Sequence, residues 1–141
     1  MNQSCRTWIG TCSRMQDFLR HRNTLLCIDD HQAALAGWCL YLQGQGYTVM
    51  GAANAQEGLE IFATRDIDAV ILDYAMPELN GEAVALTMKK MKPHVPIVMF
   101  TGISDVSKET HAHIDALVTK GCPPNVLLKT IDSLLQIRIA S

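Results

Sequence analysis

The chain has 141 residues, 48% of them apolar and 18% charged, with a mean hydropathy of +0.09. That length suits one domain of ordinary size, and that balance excludes wholesale disorder. The formal charge of −2 is unevenly spread: four arginines against Asp17 leave residues 1–22 at +3, while 8 basic and 13 acidic groups leave the rest at −5. An acidic domain has no electrostatic basis for binding nucleic acid.

Five cysteines (Cys5, Cys12, Cys27, Cys39 and Cys122) form neither a C-x-x-C pair nor zinc-finger spacing with histidine. They read as reduced thiols of a cytoplasmic protein, with Cys27 and Cys39 as small core residues. No apolar run approaches the roughly 18 residues of a membrane span, so no membrane partner is expected. The N-terminus is basic but lacks the apolar stretch of a secretory signal.

Residues 1–22 show no clear period and are expected to form a flexible N-terminal extension, with a docked helix over Met15–Arg22 as the alternative. From residue 23 to 138, strand-length apolar runs alternate with helical patterns. Leu25-Leu26-Cys27-Ile28 is the first strand and ends in Asp29-Asp30. Leu35, Trp38, Cys39 and Leu42 recur at helical spacing until Gly44 and Gly46 stop that helix. Tyr47–Met50 is the second strand. Asn54, with Glu57 three residues on, caps the next helix, which runs through Leu59, Ile61 and Phe62. Ala69–Leu72 is the third strand and ends in Asp73. Asn80-Gly81 leads into a helix carrying Val84, Ala85 or Leu86, Met88 and Met91, with Lys89, Lys90 and Lys92 on its solvated face. Pro96–Phe100 is the fourth strand and ends in Thr101-Gly102. A short helix over about Asp105–His113 precedes the fifth strand, Ala116–Thr119, which Lys120 closes. Pro123-Pro124 starts a last helix striped by Leu127, Leu128, Ile131, Leu134 and Leu135.

Five βα units with fully apolar strands predict a parallel sheet covered on both faces. Right-handed crossovers make an open doubly wound sheet the simplest topology. In such a sheet, ligands bind at the carboxyl ends of the strands. Asp29, Asp30, Asp73, Thr101 and Lys120 all stand at such ends. Three carboxylates in one crevice repel unless a cation lies among them, and an all-oxygen ligand set suits Mg²⁺. A carboxylate can attack phosphorus, while Mg²⁺, an ammonium group and a hydroxyl neutralise the phosphoryl oxygens. The parts fit a pocket that accepts a phosphoryl group.

Asp29-Asp30-His31, Asp73-Tyr74-Ala75-Met76-Pro77, Asn80-Gly81, Thr101-Gly102 and Lys120, in this order and at these strand ends, give residues 24–136 a resemblance to the receiver domain of bacterial two-component response regulators. The resemblance covers about four-fifths of the chain. It implies the flavodoxin-like (βα)5 fold with strand order 2-1-3-4-5. It also implies that Asp73 is the phosphoacceptor and that Asp30 is a direct Mg²⁺ ligand, with Asp29 assisting. Ala75 would offer its backbone carbonyl to the metal. Thr101 would bind the phosphoryl group, and Lys120 would pair with Asp73 and then with a phosphoryl oxygen. The implied partners are a sensor histidine kinase or histidine phosphotransfer protein, a downstream protein and, by analogy alone, a second copy of the chain.

Three departures from the family stand out. Gly121 replaces the proline that usually follows the lysine, with Pro123-Pro124 further on. Leu117 occupies the position of the switch aromatic. Ala75 and Ile103 fill the positions that tune dephosphorylation, and neither can orient a water, so slow self-dephosphorylation is expected. The chain runs only about 20 residues beyond Lys120, which on this reading makes a stand-alone receiver whose output is a protein contact.

Two other functions compete with this one. A receiver used only for phosphorylation-independent binding is disfavoured by the intact acid set. An aspartyl-phosphate phosphatase of the haloacid dehalogenase type needs D-x-D, and Ala75 stands where the second aspartate belongs, so no turnover enzyme is expected. Taken singly, Asp29-Asp30 reads as a helix cap, Thr101 as a strand-end cap and Lys120 as a surface residue. His31 reads as a first-turn residue without chemistry, and His111 and His113 do not share a helix face. Trp38 reads as core or half-buried and Cys122 as an inert loop thiol.

Overall fold

In the computed structural model, which describes residues 15, 18–77, 79–102 and 107–136, the five apolar runs form one parallel sheet. The strands are β1 (Thr24–Ile28), β2 (Thr48–Ala52), β3 (Ala69–Leu72), β4 (Ile97–Thr101) and β5 (Ala116–Thr119). The helices that alternate with them are α1 (Gln32–Gly44), α2 (Ala55–Thr64), α3 (Gly81–Met91), α4 (Lys108–Ala112) and α5 (Pro124–Leu134). The order across the sheet is β2-β1-β3-β4-β5, as the resemblance implies. The register pairs Cys27 of β1 with Gly51 of β2 and Ile71 of β3.

Because side chains alternate along a strand, each apolar run feeds two cores. Leu26, Ile28, Val70, Leu72, Ile97 and Met99 point to one face, against Phe62 of α2 and Val84 and Met88 of α3. Leu25, Cys27, Ile71, Val98 and Phe100 point to the other, against Leu42 of α1 and Leu127 and Ile131 of α5. Trp38 is half-buried on this second face, with its ring edge-on to Phe100 at 4.6 Å between centroids.

Local chemistry sets the helix ends. Asn54 Oδ1 accepts from the Glu57 N–H at 2.8 Å, and Glu57 Oε1 reaches back to the Ala53 N–H. Asn80 and Ser107 cap α3 and α4 in the same way, through the N–H groups of Ala83 and Thr110. Gly46, at φ 111°, takes the left-handed conformation that turns the chain from α1 into β2.

The sequence reading needs revision at three places. First, β2 and β4 each extend further toward the carboxyl edge than expected, to Ala52 and Thr101. Second, two lysines assigned to a solvated face are anchored. Lys89 donates to Val95 O and to Asp115, and Lys92 donates to Phe62 O and Arg65 O while lying 5.0 Å over the Phe62 ring. Long stems carry these ammonium groups past the helix surface to carbonyls at loop ends.

Third, the segment before β1 is tied down where it is described. Residues 18–21 are helical, and Arg20 is 8% exposed. Its guanidinium grips Asp132 of α5 through two bonds, of 3.2 and 2.7 Å, and donates to Gln45 O. The Tyr47 hydroxyl donates to the same carboxylate at 2.5 Å. The docked alternative therefore describes residues 18–21, while residues 1–14, 16 and 17 lie outside the described residues.

Removing one member of a buried ion pair leaves its partner uncompensated. Arg20→Ala is expected to lower unfolding stability by about 3 kcal/mol, read as a fall in the urea midpoint at unchanged slope. An unchanged midpoint would mean that this attachment adds nothing to the fold.

Candidate functional site

Backbone bonds carry the ladder one residue past the strands and so fix the acidic residues. The Asp29 N–H donates to Ala52 O at 3.1 Å, and the Asp73 N–H donates to Ile28 O at 2.9 Å. On the other side of the crevice, the Lys120 N–H donates to Thr101 O at 2.8 Å. The ends of β2, β1 and β3 are thereby held side by side, and so are those of β4 and β5. Their side chains converge because the parallel register brings all the carboxyl ends to one edge.

The side-chain geometry follows. Lys120 Nζ donates to Asp29 Oδ2 at 2.8 Å and stands 3.5 Å from Asp73 Oδ1. Asp29 Oδ1 accepts the His31 N–H at 2.9 Å. Carboxylate oxygens of Asp29, Asp30 and Asp73 all lie within 4.8 Å of one another. Asp29 and Asp73 are buried, at 6% and 8% exposure, whereas Asp30 is exposed at the mouth. Thr101 is buried at the end of β4, and Ala75 is exposed on the loop two residues beyond Asp73.

The electrostatics are unbalanced. Burial raises the Asp73 pKa and the charges of Asp29 and Asp30 raise it further, and these together outweigh Lys120, which acts to lower it. For Lys120, burial acts to lower the pKa, but the hydrogen bond to Asp29 and the charges of Asp73 and Asp29 outweigh it and raise it. Lys120 is thus a firm cation that does not by itself offset three carboxylates. A hard divalent cation would, and an all-oxygen donor set with one exposed member suits Mg²⁺.

The structure brings together the side chains of Asp29, Asp30, Asp73 and Lys120, and it buries Thr101 at the end of β4, where its carbonyl accepts from the Lys120 N–H. Ile103 lies outside the described residues. Leu117 is half-buried and packs against the core formed with α2 and α3. After Lys120, a turn closed by the Cys122 N–H on Thr119 O takes the chain through Gly121 toward α5.

Three residues have supporting roles that the sequence does not reveal. His31 caps α1, its Nδ1 accepting from the Ala34 N–H, and its own N–H orients Asp29. Glu82, at the start of α3, accepts from the hydroxyls of Thr110 and Ser107 and so ties α3 to the cap of α4. Gly81 donates its N–H to Tyr74 O at 2.7 Å, and a Cβ there would lie 2.7 Å from Asp73 O and 2.8 Å from Tyr74 Cα. The Asn-Gly pair was visible in the sequence, but only the fold shows that the glycine admits the backbone of the phosphoacceptor candidate.

The chain belongs to the response regulator receiver domain family, whose model matches residues 25–132. It is 35% identical over 120 residues to a probable transcriptional regulator, ycf27, of Cyanidium caldarium, covering 83% of this chain and 48% of that protein. It is 30% identical over 115 residues to the transcriptional regulatory protein GlrR of Escherichia coli, covering 79% of this chain and 26% of the relative. The chain therefore spans half or less of the length of these relatives. Among solved structures it resembles the response regulator TrrA of Thermotoga maritima in complex with Mg²⁺-BeF, at 29% identity and a TM-score of 0.76, over 79% of this chain and 98% of that one. A CheY-like receiver domain protein from Methanospirillum hungatei gives 28% identity and a TM-score of 0.75, over 81% and 94%. The protein is a receiver domain of two-component signalling.

Since the two nearest atoms to a Cβ at position 81 belong to the backbone, the loop after β3 must shift to admit one. Gly81→Ala is expected to lose about 1–3 kcal/mol of stability in urea unfolding. Wild-type stability would show that the loop yields freely.

Proposed function

We propose that Asp73 is a Mg²⁺-dependent phosphoacceptor, loaded by a histidine kinase or a histidine phosphotransfer protein, and that its phosphorylation switches a protein contact. The observation that carries this reading is the Asp73 carboxylate, buried at a strand end, 3.5 Å from Lys120 Nζ and beside two further carboxylates. Asp29, Asp30, Asp73 and the Ala75 carbonyl would hold the metal. When bound, Mg²⁺ neutralises the acid cluster and screens a phosphoryl oxygen.

An Asp73 oxygen attacks phosphorus, the P–N bond to the donor histidine breaks, and the imidazole leaves with the electron pair. Lys120, already poised between Asp29 and Asp73, turns its ammonium group to a developing phosphoryl oxygen. The Thr101 hydroxyl donates to another. The event is one transfer onto the chain rather than turnover, since Ala75 offers no acid or base two residues from Asp73. For the same reason, the aspartyl phosphate should be long-lived.

Incubation with Mg²⁺ and acetyl phosphate, followed by intact-protein mass spectrometry, is expected to give a single phosphoryl adduct. The adduct should be absent from Asp73→Asn and from an EDTA sample, and it should decay more slowly than in an Ala75→Asn, Ile103→Glu variant. If neither an adduct nor Mg²⁺-dependent beryllofluoride binding is observed, the phosphoacceptor reading fails and phosphorylation-independent binding replaces it. An adduct that decays no more slowly than in the double variant would overturn the slow-hydrolysis proposal alone.

A further inference from the structure

Cys27 and Cys39 lie 12 positions apart on different elements, and the fold brings their sulfurs together. Cys27 points from β1 into the core shared with α1 and α5, and Cys39 descends from α1 onto the same face. Gly51 makes the approach possible. It is the register partner of Cys27 on the neighbouring strand, and a Cβ built on it would lie 3.2 Å from Cys39 Sγ. Cys39 Sγ therefore lies against the space that Gly51 leaves open beside Cys27. The neighbouring Cys27 thiol holds the Cys39 thiol down to about 7, against the opposing effect of burial. Cys39 is half-exposed, whereas Cys27 is 3% exposed.

We propose that Cys27 and Cys39 are a dithiol modification site, closed to an intramolecular disulfide by a peroxide. The accessible Cys39 thiolate attacks a peroxide oxygen, the O–O bond breaks, Cys39 becomes a sulfenic acid, and the departing hydroxide takes up the proton that the thiol gave to solvent, leaving as water. Cys27 Sγ then attacks that sulfur, the S–O bond breaks, and the leaving hydroxide takes the Cys27 proton as water. With hydrogen peroxide, two thiols and one peroxide give one disulfide and two waters, the thiols being oxidised and the peroxide reduced. A disulfide needs the two Cβ atoms about 3.5–4.5 Å apart, so α1 must settle slightly toward the sheet. Gly51 removes the side chain that would resist this movement. The bond would fix α1 to the strand that delivers Asp29, which lies two residues beyond Cys27 on the same face.

The test treats the reduced full chain with hydrogen peroxide, alkylates the remaining thiols and maps non-reduced peptides by mass spectrometry. The expected result is a loss of 2 Da in the intact mass, as two hydrogens leave. A peptide carrying Cys27 should be joined to one carrying Cys39, and the link should disappear on reduction. Cys122→Ser should retain the link, and Cys39→Ser should lose it. The mapping is done on the wild-type chain, so the result does not depend on a variant folding. Bonds confined to Cys5, Cys12 or Cys122 would overturn the proposal. So would oxygen adducts on Cys39 with Cys27 still alkylated after unfolding.

Discussion

Three carboxylates share one crevice with a single lysine, and much of the architecture around them serves to keep them there. Asp29 and Asp73 are held by backbone bonds to the neighbouring strands, so neither can retreat from the other without breaking the sheet ladder. Lys120 bonds Asp29 at 2.8 Å and stands further from Asp73. The arrangement leaves Asp73 as the less compensated acid, with its pKa raised by burial and by its two neighbours. A carboxylate under that pressure gains from a cation or from esterification by a phosphoryl group. On the proposed function, the pocket keeps Asp73 destabilised until it is loaded.

The fold maintains this pressure by locking the surrounding loops. His31 holds Asp29 from one side, and Gly81 lets α3 press against the backbone of Asp73 and Tyr74. Glu82 extends the same helix start to α4 through Thr110 and Ser107. A movement at Asp73 therefore has a short, hydrogen-bonded route to the cap of α4, beside the end of β4. At the opposite edge of the sheet, the Arg20–Asp132–Tyr47 cluster joins the segment before β1 to α5 and to the start of β2.

The sheet was legible in the sequence because four-residue apolar runs such as Ala69–Leu72 suit only strands buried on both faces. The site was legible because acids directly follow such runs. What could not be read was long-range pairing. Arg20 looked like part of a basic tail because its partner Asp132 lies 112 residues away. Lys89 and Lys92 looked solvated because helical spacing says nothing about the loop carbonyls their stems reach. Cys27 and Cys39 looked like separate core residues because only the strand register places Gly51 between them. In each case the missing term was a contact set by topology rather than by local pattern.

The most direct test compares wild type with Asp73→Asn by urea unfolding, in EDTA and in Mg²⁺, across pH. A carboxyl with a raised pKa favours the fold while protonated and opposes it once ionised. In EDTA the variant should therefore match wild type at low pH. It should become the more stable protein as pH rises through the raised pKa of Asp73. Added Mg²⁺ should stabilise wild type more than the variant and so narrow or reverse that gap. A variant that is no more stable than wild type in EDTA at neutral pH, together with equal Mg²⁺ effects on both, would contradict the account of a pocket strained by its own charge and relieved by a cation.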